Sequence, residues 1–203
     1  MNYATTATAD QIEITIKALE QNGIQAELVS KAEIKQKVLD MIPHGAEVLQ
    51  ASSVTLDTLG ISEAINNSGD YNSVKAKLAR MNREVQGREM QVIGAAPDYV
   101  VGSVHAVTED GKIVVVSNTG SQLSSYVYGS DKVIWVVGIQ KIVANLDTAM
   151  DRINSYVLPL ESERLNKAYN MDKGSFVSKV LIYNREVRPG RITLLFVDAP
   201  VGY

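Results

Sequence analysis

The chain has 203 residues, 45% of them hydrophobic and 21% charged, with a formal net charge of -3. That length suits one α/β domain able to bury a full core, and the acidic balance excludes a duplex nucleic-acid binder, which needs a basic surface to displace counterions. With no cysteine and only His44 and His105, disulfides, thiolate zinc sites, iron–sulfur ligation and cysteine nucleophiles are excluded, and the only metal arrangement left open is all-carboxylate.

The N-terminal Met1-Asn2-Tyr3-Ala4-Thr5-Thr6 lacks the basic and apolar regions of a signal peptide, and no apolar run reaches the roughly 18 residues of a membrane helix. The expectation is a cytoplasmic protein, with no membrane or nucleic-acid partner, no metal and no cofactor that composition names. Ile12, Ile16 and Leu19 recur at helical spacing in a helix predicted over Thr8 to Asn22, which Asn22-Gly23 ends. Gln25 to Val29 reads as a strand. Ser30 and Glu33 form a capping box for a second helix carrying Ile34, Val38 and Met41 and stopping near Pro43. Ala46 to Ala51 is a second strand. Ser52-Ser53-Val54-Thr55-Leu56 opens a helix ending near Gly60, and a short helix covers Ser62 to Asn67. Ser73 to Met90 is charged and periodic and predicts one helix.

Asp98 to Val101 is a short strand that Val104 to Thr108 continues or pairs with. Glu109-Asp110-Gly111-Lys112 is a turn, since Asp-Gly supplies the dihedral signs a hairpin needs. Ile113 to Ser117 is a β-branched run typical of a strand covered on both faces. Asn118-Thr119-Gly120-Ser121 leads into a helix through Tyr128, and Lys132 to Gly138 is another buried strand. Asn145 to Val157 is a helix with Leu146, Ala149, Met150 and Ile153 on one face. Leu160 to Tyr169 is helical, and Asn170 to Ser175 is a polar loop. Val177 to Glu186 and Arg191 to Val197 read as strands joined by Arg188-Pro189-Gly190 in a hairpin. Strands alternating with helices predict a mostly parallel sheet with helices on both faces and an antiparallel C-terminal hairpin, in a single domain over residues 1–203.

In such sheets, loops leaving the carboxyl ends of strands form the ligand crevice. Three loops here are small and hydroxylated: Ser52, Ser53 and Thr55; Gly102 and Ser103; and Asn118, Thr119, Gly120 and Ser121. Small residues let a ligand approach the backbone, and the free amides of a helix's first turn attract an anion. The same residues ahead of a helix are also ordinary N-caps; three such loops at one sheet edge are what points to an anionic small molecule. No Walker loop or Gly-x-Gly-x-x-Gly spacing is present. Glu109 reads either as a general base or nucleophile beside these loops or as half of a solvated turn, and His105 either as a group titrating near neutrality or as a structural hydrogen-bonder. Lys141 follows a strand end, where it either pairs an anion or is a solvated surface lysine. Arg152, Arg164, Arg185, Arg188 and Arg191 are expected to face solvent.

Several stretches carry a family resemblance. They are Ser52-Ser53-Val54-Thr55-Leu56, Gly102-Ser103-Val104-His105 through Lys112, Ser117-Asn118-Thr119-Gly120-Ser121, Tyr128-Gly129-Ser130-Asp131-Lys132, and above all Val136-Val137-Gly138-Ile139-Gln140-Lys141-Ile142-Val143-Ala144-Asn145-Leu146. Together they resemble the LUD (lactate utilisation) domain family over nearly the whole chain after Asp10. The resemblance implies a Rossmann-like fold similar to the ribose-phosphate isomerase and coenzyme A transferase superfamily, whose members bind phosphorylated sugars or CoA esters in loops placed like these. Some family members belong to a multi-protein system that oxidises lactate to pyruvate. Two departures limit the carry-over. The cysteine cluster of related proteins is missing between Asn166 and Ser175, and the loop Ser117 to Ser121 holds no acid equivalent to the transferase glutamate. The resemblance implies a ligand-binding or accessory subunit linked to lactate or organic-acid utilisation, with protein partners from a lactate-oxidation system. The alternative is an enzyme acting on a phosphorylated sugar or CoA ester, with Glu109 or His105 as acid/base. Homodimerisation through a sheet edge or helix is a fold-level expectation.

Overall fold

The computed structural model describes residues 3–169 and 174–203, so the predicted loop lies outside the described residues from Asn170 to Lys173. Strands β1 (Gln25–Val29), β2 (Glu47–Gln50), β3 (Asn72–Ser73), β4 (Tyr99–Gly102), β7 (Lys132–Gly138) and β10 (Ile192–Val197) form a six-stranded sheet in the order β1-β10-β7-β4-β2-β3, parallel throughout. A smaller mixed sheet, in the order β8-β5-β6-β9, holds β5 (Ala106–Thr108), β6 (Ile113–Ser117), β8 (Ile142–Val143) and β9 (Lys179–Tyr183).

The centre of the large sheet is apolar on both faces because its strands are covered twice. Along β7, Val133, Trp135 and Val137 point one way and Ile134 and Val136 the other. The first set packs with Ile12 and Leu19 of α1 (Ala9–Gln21), Val74 of α5 (Val74–Ala79), and Val107, Ile113 and Val115 of the small sheet. The second packs with Ile34 and Val38 of α2 (Ile34–Asp40), Leu56 of α3 (Val54–Thr58), and Ile61 and Ile65 of α4 (Ile61–Asn67). Each such side chain contributes about 2 kcal/mol on burial. The outer face of the small sheet is closed by Ala149 of α7 (Leu146–Arg152) and by Ile153, against Ala106, Val114 and Val143.

The parallel α/β architecture agrees with the sequence reading, and four elements differ from it. Ile113–Ser117 is buried and pairs antiparallel with β5 across the Asp110-Gly111 turn, as expected, but it does so in the small sheet, with β9 on its other side, and not in the large parallel one. The C-terminal hairpin does not form: β9 lies antiparallel to β6, whereas β10 runs parallel between β1 and β7. The apolar run of β10 needs cover on both faces, which only the centre of the large sheet supplies; the half-exposed β9 suits an edge. The connection between them is anchored by Arg191, whose guanidinium donates to the carbonyls of Ser125, Tyr126 and Ser130 and to the buried Glu186 carboxylate. The helix predicted over Ser73 to Met90 is split into α5 and α6 (Arg83–Ala95), because Asn82 caps a new start by accepting from the Glu84 N–H at 2.9 Å. Finally, α7 continues through a π-helical turn, Ile153–Val157, into α8 (Leu158–Tyr169). Among the described residues no helix is long and apolar enough to cross a membrane.

Candidate functional site

Strand β7 ends at Gly138 and the chain tightens into a 3-10 turn, Ile139–Lys141, before entering β8. That turn sends Lys141 back into the protein, where it is only 2% exposed. Its Nζ donates to Thr55 Oγ1 at 3.0 Å, Ser103 Oγ at 3.1 Å and the Val104 carbonyl at 3.1 Å. All three partners are neutral. Burial, and then the neighbouring Arg152, push the Lys141 ammonium down to about 7.

Arg152 stands at the junction between α7 and the π-helical turn and is fully buried. Irregular helical turns of this kind frequently mark functional positions. One end of the guanidinium, Nη1, donates to the His105 carbonyl at 2.7 Å, and Cζ lies over the Tyr156 ring, 5.3 Å from its centroid. Nε and Nη2 are buried and have no hydrogen-bond partner among the described residues. Burial lowers the Arg152 pKa to about 10, opposed by Tyr156 and Tyr3. Neither Lys141 nor Arg152 forms an ion pair among the described residues. Two buried cations with no carboxylate are unusual, since buried charge is normally paired.

His105 borders this pair. Its Nδ1 accepts from the Val116 N–H at 3.1 Å, which places the ring proton on Nε2 and keeps the imidazole neutral. Burial, with Lys141 and Arg152 adding to it and Glu161 opposing, holds its pKa down to about 3. The far wall is the segment Val201 to Tyr203. Gln140 Nε2 donates to the Val201 and Gly202 carbonyls at 3.0 and 3.2 Å, and Thr55 Oγ1 lies 3.3 Å from the Val201 carbonyl. Gly202 approaches so closely that a Cβ there would lie 2.2 Å from Thr55 Oγ1. The Tyr203 hydroxyl donates to Glu161, whose carboxylate is also held bidentately by Arg164.

The structure therefore gathers Thr55, Ser103, His105 and Lys141 from the sequence-based candidates and leaves others apart. Ser53 caps α3 through a long 3.5 Å contact with the Leu56 N–H, and Ser52 is exposed beside it. Gly102 faces Tyr126 rather than a ligand: a Cβ there would lie 1.8 Å from the phenol oxygen. The loop Asn118 to Ser121 belongs to the small sheet. Gly120 N–H bonds Ser117 Oγ, Thr119 and Ser121 bond each other, and the Asn118 carbonyl accepts from Ser178 and Lys179. It has no hydrogen bond to the Lys141 cluster among the described residues. Glu109 sits past the end of β5 opposite His105 and accepts from Gln11 Nε2 at 2.8 Å. Arg152 and Arg191, expected in solvent, are buried. Arg152 was detectable, because it falls with Ala149 and Ile153 on the apolar face of its helix. No three His, Asp or Glu side chains converge as metal ligands among the described residues. Two concavities on the surface lie one beside β1 and Glu186 and the other against Tyr3 and Tyr156; the Lys141 cluster is buried.

A family model of the LUD domain matches residues 12–197, from the first turns of α1 to the last residue of β10. The chain belongs to the LUD domain family. The crystal structure of a DUF162 family protein from Deinococcus radiodurans superposes with a TM-score of 0.58 at 12% identity, covering 95% of this chain and 99% of that one. At that identity the likeness shows the fold alone. The eIF2B beta structure from Chaetomium thermophilum is more distant, with a TM-score of 0.37, 13% identity and coverage of 59% of this chain and 44% of that one. No curated protein matches the sequence.

Proposed function

We propose that this LUD-domain protein binds a small organic anion at the buried cations Lys141 and Arg152, and acts as a ligand-binding or accessory subunit in lactate or related organic-acid utilisation. The observation that carries the reading is the Lys141 ammonium, buried against three neutral oxygens beside a second buried cation. An uncompensated buried charge costs several kcal/mol. An anion entering beside the two cations removes that cost, and the Ser103 hydroxyl adds a hydrogen bond to it.

A second reading, an enzyme acting on a phosphorylated sugar or CoA ester, is favoured by one feature. An amine titrating near 7 is poised for proton transfer or nucleophilic attack at neutral pH. In that reading the reacting group is Lys141 or the neighbouring His105, not Glu109, which faces Gln11.

Thermal unfolding with L-lactate, pyruvate, a sugar phosphate and a CoA ester at pH 6 and pH 8.5 tests both. A ligand of the native state raises the melting temperature by mass action. The expected result is a shift with an organic anion that is larger at pH 6, is abolished in Lys141→Met and survives in Glu109→Gln. A shift retained in full by Lys141→Met removes the site from consideration, and turnover of a phosphorylated or CoA substrate selects the second reading.

A further inference from the structure

We propose that the Nε/Nη2 edge of Arg152 is a carboxylate-binding fork, so that the anion taken up at the two buried cations is a small carboxylic acid. This rests on reading those cations as an anion site. A guanidinium presents five N–H donors in one plane. In Arg152 the Nη1 end is occupied by the His105 carbonyl, and Cζ lies over the Tyr156 ring. What remains is the edge carrying Nε and Nη2, fully buried and without an acceptor. That edge offers two parallel N–H bonds at the spacing of the two oxygens of a carboxylate.

The same chain shows the geometry filled. Arg164 uses its own Nε and Nη2 to hold the two oxygens of Glu161, at 2.8 and 2.7 Å. Arg152 presents the identical edge with no carboxylate against it among the described residues. Stability alone does not account for this, because each orphaned buried donor costs about 1–3 kcal/mol. The surroundings also limit size. Thr55, Val104 and Lys141 are each at most 2% exposed, which leaves no open cleft for the body of a nucleotide or CoA. The Tyr156 ring that covers Arg152 also borders a surface depression lined by Tyr3, Asp151, Asn154 and Ser155, and displacement of that ring gives the route inward.

The test uses the full chain labelled with 15N. Acetate, L-lactate, pyruvate and inorganic phosphate are titrated separately, following the Arg152 Nε–H resonance, with calorimetry on the wild type, Arg152→Lys and Lys141→Met. The expected result is a saturable shift of that resonance with at least one carboxylate and none with phosphate. Affinity falls at least about tenfold in Arg152→Lys, which keeps the charge and loses the fork. Binding of phosphate alone, or carboxylate binding that moves neither the resonance nor the Arg152→Lys affinity, overturns the fork. If such binding is still lost in Lys141→Met, the anion-site reading stands without it. Absence of binding by all four anions overturns both. The resonance is read on the wild type, so the outcome does not depend on Arg152→Lys folding.

Discussion

Replacing Lys141 by methionine removes the buried charge while keeping an unbranched stem. In the folded protein this ammonium is pushed from 10.5 down to about 7, by burial first and then by Arg152. Below about pH 7 both folded and unfolded chains hold the proton, and the burial penalty is fully present. Between about pH 7 and 10.5 the unfolded chain holds one proton more, so wild-type stability rises with pH by about 1.4 kcal/mol for each unit. From pH 7, where the group is half titrated, to pH 9 the wild type therefore gains about 2 kcal/mol from this one group. Lys141→Met lacks that gain. Loss of the hydrogen bonds to Thr55, Ser103 and Val104 costs about 1 kcal/mol each, but this offset does not vary with pH. The difference between the two proteins is thus most favourable to the variant near pH 7 and moves against it as pH rises. Urea unfolding of both at pH 7, 8 and 9, fitted for midpoint and slope, measures the difference directly. Parallel dependence on pH would refute the reasoning, because Lys141 would then be as well solvated folded as unfolded.

Three further outcomes follow from the same contacts. His105 is held down to about 3 by burial and by Lys141 and Arg152, so its stabilising effect is complete above pH 6.5 and is lost as pH falls from there towards 3. His105→Asn keeps an acceptor for the Val116 N–H without titrating, and the acid-unfolding midpoint followed by circular dichroism should move to lower pH. Gly102→Ala drives a methyl into the Tyr126 phenol oxygen, 1.8 Å from the Cβ position, and should destabilise by about 1–3 kcal/mol; Tyr126→Phe should recover part of this in a double-mutant cycle read by urea unfolding. Arg191→Met leaves the Glu186 carboxylate buried without its 2.8 Å partner and should cost about 3–5 kcal/mol, with partial recovery on adding Glu186→Gln, measured by calorimetric unfolding.

Much of the local structure was legible in the chain itself. The helical spacing of Ile12, Ile16 and Leu19, the double-faced apolar run of β7 and the Asp110-Gly111 turn each depend on neighbours within a few residues, and each formed where expected. Thr55, Ser103 and Lys141 were also legible, since residues just past strand ends gather at one edge of a parallel sheet. Arg152 was legible as position but not as role: periodicity placed it on the buried face, while its charge argued for solvent.

The amino-acid pattern by itself determined which segments are strands and helices and which of them demand burial. Sheet membership was decided only in the folded molecule. Ile113–Ser117 and Ile192–Val197 are equally apolar, yet one joins the small mixed sheet and the other the centre of the parallel one, because strand pairing is settled by non-local hydrogen bonds and cover. The site is non-local in the same way. Lys141 meets Thr55 across 86 residues of sequence and Ser103 across 38, and Arg152 reaches the His105 carbonyl across 47. No local periodicity encodes that two cations will share one interior with no carboxylate between them. That arrangement exists only once the helices and both sheets have closed around it.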